Sequence, residues 1–330
     1  MKAAIYREYG PPDVVRIEDV PVPEPGPGEV RIRVRAASLN PADIYMLRGW
    51  PYMMRAQSGL RRPKNNGLGL DFAGVIDRVG DTTTDLRPGD AVFGEMTKPF
   101  LGLTRAFAEY LCVPADHLAR MPSTLSFEEA ASMPIAGCTA MFAVQNYGGL
   151  QPGQRVLING AGGGIGVHAV QLAKHAGAHV TAVCSAEKAT MVRELGADRA
   201  IDYRREDFTA EDIRYDVIID LASSRSLKHC KRVMAPDGRF AWVGSVDSSP
   251  LLGPLRPALG VVLTSLVARG QRWNCVTSTA TTAALTTLAD LFIEGALRPV
   301  IGRRYPLADV VDAIHYMEKG HASGKVVISI

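Results

Sequence analysis

The chain has 330 residues, of which 47% are hydrophobic and 22% are charged, and its formal net charge is +3. This length predicts two domains, and the apolar content excludes a disordered chain. So small a net charge also argues against a dedicated nucleic-acid binder, which needs a strong positive field. We therefore expect a folded protein that has no nucleic-acid partner.

We expect a cytoplasmic protein that does not bind or enter a membrane. The first ten residues alternate like a strand and lack the apolar run of a secretory signal. The longest apolar stretch, residues 258–268, is too short for a membrane helix, and we interpret it as a core or interface helix. The cysteines lie far apart, without the spacing of a disulfide framework or a zinc cluster.

The first third of the chain has the pattern of β-structure. Short alternating runs, bounded by proline and glycine clusters, occur at residues 2–6, 14–20, 29–36, 72–79, 90–93 and 107–113. This series of short strands predicts a compact β-barrel-like domain.

The middle of the chain changes to alternating strands and helices. Ser126 and Glu129 have the spacing of a capping box, which opens a helix over residues 130–144 that Pro134 should bend or break. Strands follow at 156–159, 180–184, 200–203, 217–221 and 240–243, with helices at 165–175 and 187–195. This alternation predicts an α/β domain with a doubly wound parallel sheet.

The last part of the chain reads as two amphipathic helices, residues 279–294 and 307–319, and a final strand, residues 326–330. An open doubly wound sheet is already complete before these elements begin. We therefore expect this tail to return to the first domain.

The sharpest motif is a glycine-rich loop that follows the strand at residues 156–159 and precedes a helix. This phosphate loop comprises Gly160, Ala161, Gly162, Gly163, Gly164, Ile165 and Gly166. Glycines let backbone amides approach a pyrophosphate, and a helix N-terminus favours its negative charge. The position of the loop between a strand and a helix predicts dinucleotide binding, with a bare structural turn as the alternative.

The end of the second strand of this domain bears on the choice of nicotinamide cofactor. NAD-binding folds place an acid about 20 residues after the loop, where this chain has Cys184 and Ser185. Glu187 lies beyond the strand and is followed by Lys188. A missing acid and a nearby lysine suit a 2′-phosphate, to which Ser185 can also hydrogen-bond, whereas the alternative is a solvated helix start. We predict NADPH in preference to NADH.

Further segments stand in a characteristic order along the chain: GLDFAGVIDRVG, RPGDAVFG, GAGGGIGVHAVQLAK, YDVIIDLA and GKVVI. Together they resemble the medium-chain dehydrogenase/reductase superfamily, and within it the zinc-free quinone oxidoreductase-like branch. The resemblance implies a GroES-like β-barrel catalytic domain from residues 1–121 and 276–330, with a Rossmann domain, residues 122–275, inserted between them. It also implies a homodimer or a homotetramer.

The resemblance bears directly on zinc. Members that contain zinc hold their catalytic metal with Cys, His and Cys, and the matching positions in this chain are Asn40, Leu70 and Ile135. Zinc binds thiolate, imidazole or carboxylate, which none of these side chains provides. We therefore expect no zinc.

Without a metal, fixed donors must stabilise the charge that develops on a substrate oxygen. The resemblance places Asn40 and Tyr45 near the nicotinamide, as catalytic and substrate-pocket residues. Asn40 would donate through its amide, and Tyr45 would donate a hydrogen bond or a proton. The alternatives are that Asn40 only shapes the turn before Pro41 and that Tyr45 has no chemical role.

The same resemblance implies further cofactor contacts. Thr139 matches a threonine that packs beside the nicotinamide ring, and Lys188 and Tyr203 match residues at the 2′-phosphate. Gly244 and Ser245 end the fifth strand at the edge where such sheets bind ligands. Packing is the alternative role for each of these residues.

Residues 50–64 depart from the pattern of a plain quinone reductase. The aromatic side chains of Trp50 and Tyr52 suit the wall of a substrate pocket, and the basic residues nearby suit an anionic substrate. A solvated loop is the alternative interpretation.

We predict a zinc-independent, NADPH-dependent oxidoreductase that delivers hydride to a quinone or to the activated C=C bond of a small enone or enoyl substrate. Carbonyl reduction or alcohol oxidation on the same scaffold is the second hypothesis. The third is a non-redox cofactor-binding protein or tailoring enzyme, such as a cyclase, because cofactor binding does not prove hydride transfer.

Overall fold

The computed structural model describes every residue except 82–84, 97–104, 246–248, 250, 252 and 254. The chain forms two compact units. The first comprises Met1–Ile135, Thr279–Glu294 and Pro299–Ile330, and the second comprises Ala136–Ser278 and Gly295–Arg298. The chain thus leaves the first unit after Ile135, whereas the sequence predicted this change after residue 121.

The described residues include fifteen strands and ten α-helices. The strands are β1 (Lys2–Ile5), β2 (Arg16–Asp19), β3 (Glu29–Leu39), β4 (Asp71–Val79), β5 (Ala91–Glu95), β6 (Tyr110–Pro114), β7 (Leu118–Arg120), β8 (Arg155–Asn159), β9 (His179–Cys184), β10 (Arg199–Asp202), β11 (Tyr215–Asp220), β12 (Met234–Trp242), β13 (Arg272–Cys275), β14 (Ile301–Pro306) and β15 (Lys325–Ser329). The helices are α1 (Pro41–Arg48), α2 (Arg55–Ser58), α3 (Phe127–Ala131), α4 (Pro134–Met141), α5 (Gly166–His175), α6 (Ala189–Glu194), α7 (Leu227–Arg232), α8 (Leu255–Val267), α9 (Thr282–Ile293) and α10 (Val310–Glu318).

The first unit is built on a largely antiparallel sheet of order β14-β15-β3-β4-β5-β7, in which β6 also pairs with β3. Along β3, residues from Val30 to Ala36 alternate between buried and less buried positions, as expected for a strand with one face in the core. From Ala36 to Leu39 every residue is buried, because β15 and β4 pair with this end and α3 packs against it. Polar residues at this end of β3 are therefore enclosed.

The helix α3 explains why the first unit extends beyond residue 121. The Ser126 hydroxyl accepts from the Glu129 amide at 3.2 Å, and Glu129 accepts from the Ser126 amide, so the predicted capping box is confirmed. The helix packs against β3 and β4 of the first unit. It ends at Ala131, and α4 begins at Pro134, which confirms the predicted break.

The second unit contains six parallel strands in the order β10-β9-β8-β11-β12-β13. This arrangement confirms the predicted parallel sheet. Leu157, Ile218 and Phe240 pack in its core, where the Phe240 ring stacks on Trp273 with centroids 4.5 Å apart. Strand β13 (Arg272–Cys275) was not predicted.

The structure contradicts one of the two roles predicted for the helix α8. Among its residues only Val261 is buried, while Leu259, Leu263 and Leu266 are 60%, 55% and 76% exposed. The interpretation as a core helix is therefore wrong, and the interface helix stays a prediction. Within the described residues, no helix combines the length and hydropathy needed to cross a bilayer.

Candidate active site

The phosphate loop turns directly from β8 into α5. The amides of Gly160 and Ala161 both donate to the Val183 carbonyl at 3.0 Å, which fixes the loop to the end of β9. Gly160 has a φ of 93°, and a Cβ at Gly166 would lie 2.4 Å from the Gly160 carbonyl oxygen. Glycine at these two positions therefore permits the tight turn that aims the α5 N-terminus.

The exposed side of the loop fits a dinucleotide pyrophosphate. Gly163, Gly164 and Ile165 are partly exposed, whereas Ala161 and Gly166 are buried. A Cβ at Gly163 would meet nothing nearer than the Gly160 oxygen at 3.5 Å, so atoms of a ligand can approach the backbone there. The amides of Val167 and Ala169 in the first turn of α5 donate to the carbonyls of Gly163 and Ile165. This helix N-terminus carries the positive end of the helix dipole, which suits bound phosphates.

Three predicted residues lie together at the ends of β9 and β10. The stem of Lys188 covers Gly162, since a Cβ on that glycine would lie 2.5 Å from the Lys188 Cδ. Burial lowers the pKa of Lys188. Tyr203 is 37% exposed and its amide donates to the Cys184 carbonyl at 3.2 Å, directly before Ser185. The predicted 2′-phosphate residues thus converge beside the phosphate loop.

Two charged residues join this corner. The Arg204 guanidinium lies 5.5 Å from the centroid of the Tyr203 ring, and its Nη1 is 2.9 Å from the Glu187 Oε1. Hydrogen bonds from the Ser185 hydroxyl and the Glu187 amide, together with the Arg204 charge, lower the pKa of Glu187 to about 2. Sequence reasoning did not include Arg204, although its position directly after Tyr203 was an available signal.

A buried polar network ties together the carboxyl ends of β8, β11 and β12. Asp220 is 1% exposed and accepts from the Asn159 side chain and the Ser223 amide, both at 2.8 Å. The Ser223 hydroxyl accepts from Trp242 Nε1 at 2.8 Å and donates to the Gly244 carbonyl at 3.0 Å. Burial raises the pKa of Asp220. The network fixes the loop of Gly244 at the sheet edge, and sequence reasoning missed its members.

Thr139 lies on α4 and is 8% exposed. Its hydroxyl forms a hydrogen bond with that of Ser278, with the two oxygens 2.8 Å apart. Ser245 follows Gly244 after β12. Contacts of Thr139, Gly244 and Ser245 with a nicotinamide stay predictions.

The first unit contains a second polar site, which we call the Asp71 cluster: Ser38, Asn40, Asp71, Lys325 and the Ile135 amide. The Ser38 hydroxyl and the Asn40 amide nitrogen donate to Asp71 Oδ2 at 2.9 Å, and the Ile135 amide donates to Oδ1 at 3.0 Å. Lys325 Nζ lies 3.2 Å from Asp71 Oδ2 and 2.7 Å from Asn40 Oδ1. Asp71 is 0% and Lys325 is 3% exposed, so the ion pair is enclosed.

The Asp71 cluster engages the whole Asn40 amide. Its nitrogen donates to Asp71 and, at 3.3 Å, to the Ser38 carbonyl, while its oxygen accepts from Lys325. A planar amide has two hydrogens to donate. Donation to a substrate oxyanion, as predicted, therefore requires that one of these two bonds break.

The three positions that match the metal ligands of zinc-containing relatives meet at Asp71. Asn40 and Ile135 hydrogen-bond to it, and Leu70 precedes it in the chain and is 1% exposed. The positive charge beside Asp71 belongs to the Lys325 ammonium. Within the described ranges, no group of three His, Cys, Asp or Glu side chains is placed to hold a metal ion.

Two further carboxyls lie near the cluster. Asp43 accepts from the amides of Asn40 at 2.8 Å and Gly69 at 3.0 Å, and burial raises its pKa to about 7. Glu95 is the register partner of Asp71 across β4 and β5, and burial, aided by the Asp71 charge, raises its pKa to about 8. Sequence reasoning missed Asp71, Glu95 and Lys325 as site residues, although each occurs at a strand end.

Two of the predicted substrate-pocket aromatics, Trp50 and Tyr52, lie next to arginines close in the sequence. Tyr45 is half-buried on α1, and its carbonyl accepts from the Trp50 amide at 2.9 Å. The Arg48 guanidinium lies 5.4 Å from the Trp50 ring centroid, and that of Arg55 lies 4.7 Å from the Tyr52 ring. These contacts order the segment, and its role as a pocket wall stays a prediction.

Comparison with known proteins identifies the family. Residues 26–123 match the family described as alcohol dehydrogenase GroES-like domain, and residues 195–328 match the one described as zinc-binding dehydrogenase. The chain is 32% identical to the human (Homo sapiens) mitochondrial NAD(P)H oxidoreductase RTN4IP1, over 89% of this chain and 80% of that protein. The chain belongs to the medium-chain dehydrogenase/reductase superfamily. It is an oxidoreductase, as the names of its relatives support.

Two plant members of this superfamily match 99% of the chain and 79% of their own length. They are 2-methylene-furan-3-one reductase of Solanum lycopersicum, at 35% identity, and the chloroplastic NADPH-dependent alkenal/one oxidoreductase of Arabidopsis thaliana, at 32%. Among solved structures, a quinone oxidoreductase from Coxiella burnetii has a TM-score of 0.87 and 31% identity, covering 100% of this chain and 99% of that one. A mycobacterial protein in complex with NADPH has a TM-score of 0.84 and 26% identity, with both chains fully covered (100%). The predicted combination of a GroES-like and a Rossmann domain is confirmed.

Proposed function

We propose that this medium-chain dehydrogenase/reductase uses NADPH to reduce a quinone or the activated C=C bond of an enone or enoyl substrate. The observation that carries the proposal is the phosphate loop with the basic corner of Lys188 and Arg204 beside it. The names of its relatives, which include quinone and alkenal/one reductases, support the substrate class. NADPH, when bound, supplies the hydride.

Different groups of the chain would bind different parts of the cofactor and the substrate. The phosphate-loop amides beyond Gly163 would hold the pyrophosphate, and Lys188, Tyr203 and Arg204 would hold the 2′-phosphate. Thr139, together with the loop of Gly244 and Ser245, would contact the nicotinamide half. Tyr45 would donate a hydrogen bond or a proton to the substrate oxygen as its charge develops.

One assay separates this proposal from its alternatives. NADPH absorbance is followed with a panel of quinones, enones, enoyl thioesters and aldehydes, and the products are identified. We expect oxidation by quinones or enones. Faster turnover of aldehydes would favour a carbonyl reductase, and tight NADPH binding without oxidation by any acceptor would favour a non-redox protein.

Tyr45→Phe tests the proposed donor. Loss of a proton or hydrogen-bond donor at the reacting oxygen lowers turnover by roughly 100-fold, while the dissociation constant for NADPH stays unchanged. Tyr316→Phe, which removes a hydroxyl elsewhere in the first unit, is the matched control. Undiminished turnover of the Tyr45 variant would exclude the role.

We further propose that the reaction is zinc-independent. The side chains of Leu70 and Ile135 have no atom that can ligate a metal, and the Asn40 amide is engaged by Lys325 and Asp71. Elemental analysis of the purified protein tests this point, since stoichiometric zinc would overturn it.

We also propose a cytoplasmic homodimer or homotetramer that acts on a small molecule. The exposed face of α8 and the edge strand β13 support self-association, and the wide spacing of the five cysteines along the chain supports a reducing compartment. Light scattering of the wild type and of Leu263→Glu tests the oligomer, because a charge in a buried interface favours the monomer. Cell fractionation tests the compartment, and recovery with an organelle would contradict it.

A further inference from the structure

We propose that Glu187 limits the preference for NADPH over NADH by holding Arg204 in an ion pair. The inference rests on the proposed use of NADPH and names a residue that determines specificity. It concerns the corner formed by the ends of β9 and β10, where positive and negative side chains share one binding position.

Arg204 lies where it can contact either Glu187 or a bound 2′-phosphate. Its Nη1 lies 2.9 Å from Glu187 Oε1, while the side chains of Arg204 and Glu187 are 47% and 69% exposed. Arginine binds phosphate best through two parallel N–H groups, and a carboxylate competes for the same groups. A 2′-phosphate that approaches Lys188 and Tyr203 must therefore displace Glu187 from Arg204 or accept a weaker contact.

The charge of Glu187 also opposes a second anion. Its low pKa, which results chiefly from the Ser185 hydrogen bond, keeps the carboxylate ionised at neutral pH. A phosphate monoester carries about −1.5 to −2 charges at pH 7, so the two groups repel each other. Because these side chains are exposed and water screens their charges, the repulsion is moderate.

NADH presents the opposite situation. Its adenosine ribose has a free 2′-hydroxyl, for which a carboxylate is a suitable acceptor. Glu187, directly before Lys188 and hydrogen-bonded to Ser185, is an acid at this corner that could accept it. The other acid here, Asp202 at the end of β10, already accepts from the Arg204 amide at 3.2 Å. Glu187 thus weakens the binding of NADPH and favours the binding of NADH.

The test compares binding of two adenosine fragments by calorimetry: adenosine 2′,5′-bisphosphate and adenosine 5′-monophosphate. Glu187→Gln should bind the bisphosphate about three- to tenfold more tightly than the wild type does, with no gain for the monophosphate. Glu206→Gln is the matched control, because it removes the same charge from the same unit, where Glu206 pairs with Arg199.

Arg204→Met then distinguishes the Glu187–Arg204 ion pair from direct repulsion between Glu187 and the 2′-phosphate. In this background, the gain from Glu187→Gln should shrink to less than about twofold. An unchanged ratio of the two affinities in Glu187→Gln, the same gain in Glu206→Gln, or an undiminished gain without Arg204 would each overturn the inference. Failure of the wild type to bind NADPH at all would instead refute the proposed function.

Discussion

The phosphate loop and the Asp71 cluster are built from different parts of the chain. The loop consists of consecutive residues, and the groups that we propose for pyrophosphate binding are its backbone amides. The cluster joins side chains as far apart as Asn40 and Lys325, which are separated by 285 positions. A site made from backbone is visible in the local sequence, whereas a site made from distant charges depends on strand pairing.

The two regions therefore tolerate opposite changes. The loop is damaged when a side chain is added, because backbone atoms already occupy the space next to Gly166 and because Gly160 has a positive φ of 93°. The cluster is damaged when a side chain is removed, because each buried polar atom depends on its partner. Two substitutions test this contrast, and a third tests a carboxyl beside the cluster.

The largest effect is expected for Lys325→Met, which leaves the Asp71 carboxylate buried without its countercharge. Breaking a buried ion pair costs about 3–5 kcal/mol, so the free energy of unfolding should fall by that amount in a denaturant titration. Lys319→Met, at an exposed lysine of the same unit, should change it by less than about 0.5 kcal/mol. Adding Asp71→Asn should recover part of the loss, and equal stability of Lys325→Met and the wild type would show that the pair is dispensable.

A smaller effect is expected for Gly166→Ala. Its Cβ would lie within 2.6 Å of backbone atoms of Gly160 and Ala161, and overpacking of this kind costs about 1–3 kcal/mol. Gly163→Ala meets no such contact and should keep its unfolding free energy. Thermal and denaturant unfolding measure both variants, and NADPH affinity should fall in Gly166→Ala as the loop shifts. Equal unfolding free energies for the two variants would refute the steric argument.

The third effect concerns Glu95, and it appears only as the pH rises. Its pKa is about 8 in the folded chain, above the ordinary 4.5 of a glutamate, so the folded state binds more protons between these values. The free energy of unfolding therefore falls as the pH rises through this window. Glu95→Gln removes that cost and should be more stable than the wild type by at least about 1 kcal/mol at pH 9, with no difference at pH 4.

Glu294→Gln is the control for this titration, because Glu294 is exposed in the same unit. It should follow the wild type at every pH. A Glu95→Gln profile parallel to that of the wild type would contradict the raised pKa. Asp43, whose pKa is about 7, contributes the same sign of pH dependence and remains in both proteins.

Several elements show where sequence patterns stop being informative. Strand β3 was predicted to end at residue 36, because alternation stops where both faces become buried. The apolar residues of α8 indicated a helix, but composition alone did not distinguish a core helix from an exposed one. Lys325 looks like an ordinary strand residue until β15 pairs with β3 and brings its ammonium to Asp71.

The sequence by itself determined the parallel sheet, the phosphate loop and the break at Pro134, because each depends on neighbours along the chain. Only the tertiary structure decided that the Asn40 amide is engaged, that Arg204 pairs with Glu187, and that Lys325 supplies the charge beside Asp71. The physical reason is that glycine conformations and helix ends are local properties. The partner of a buried or paired charge is chosen by strand register and packing.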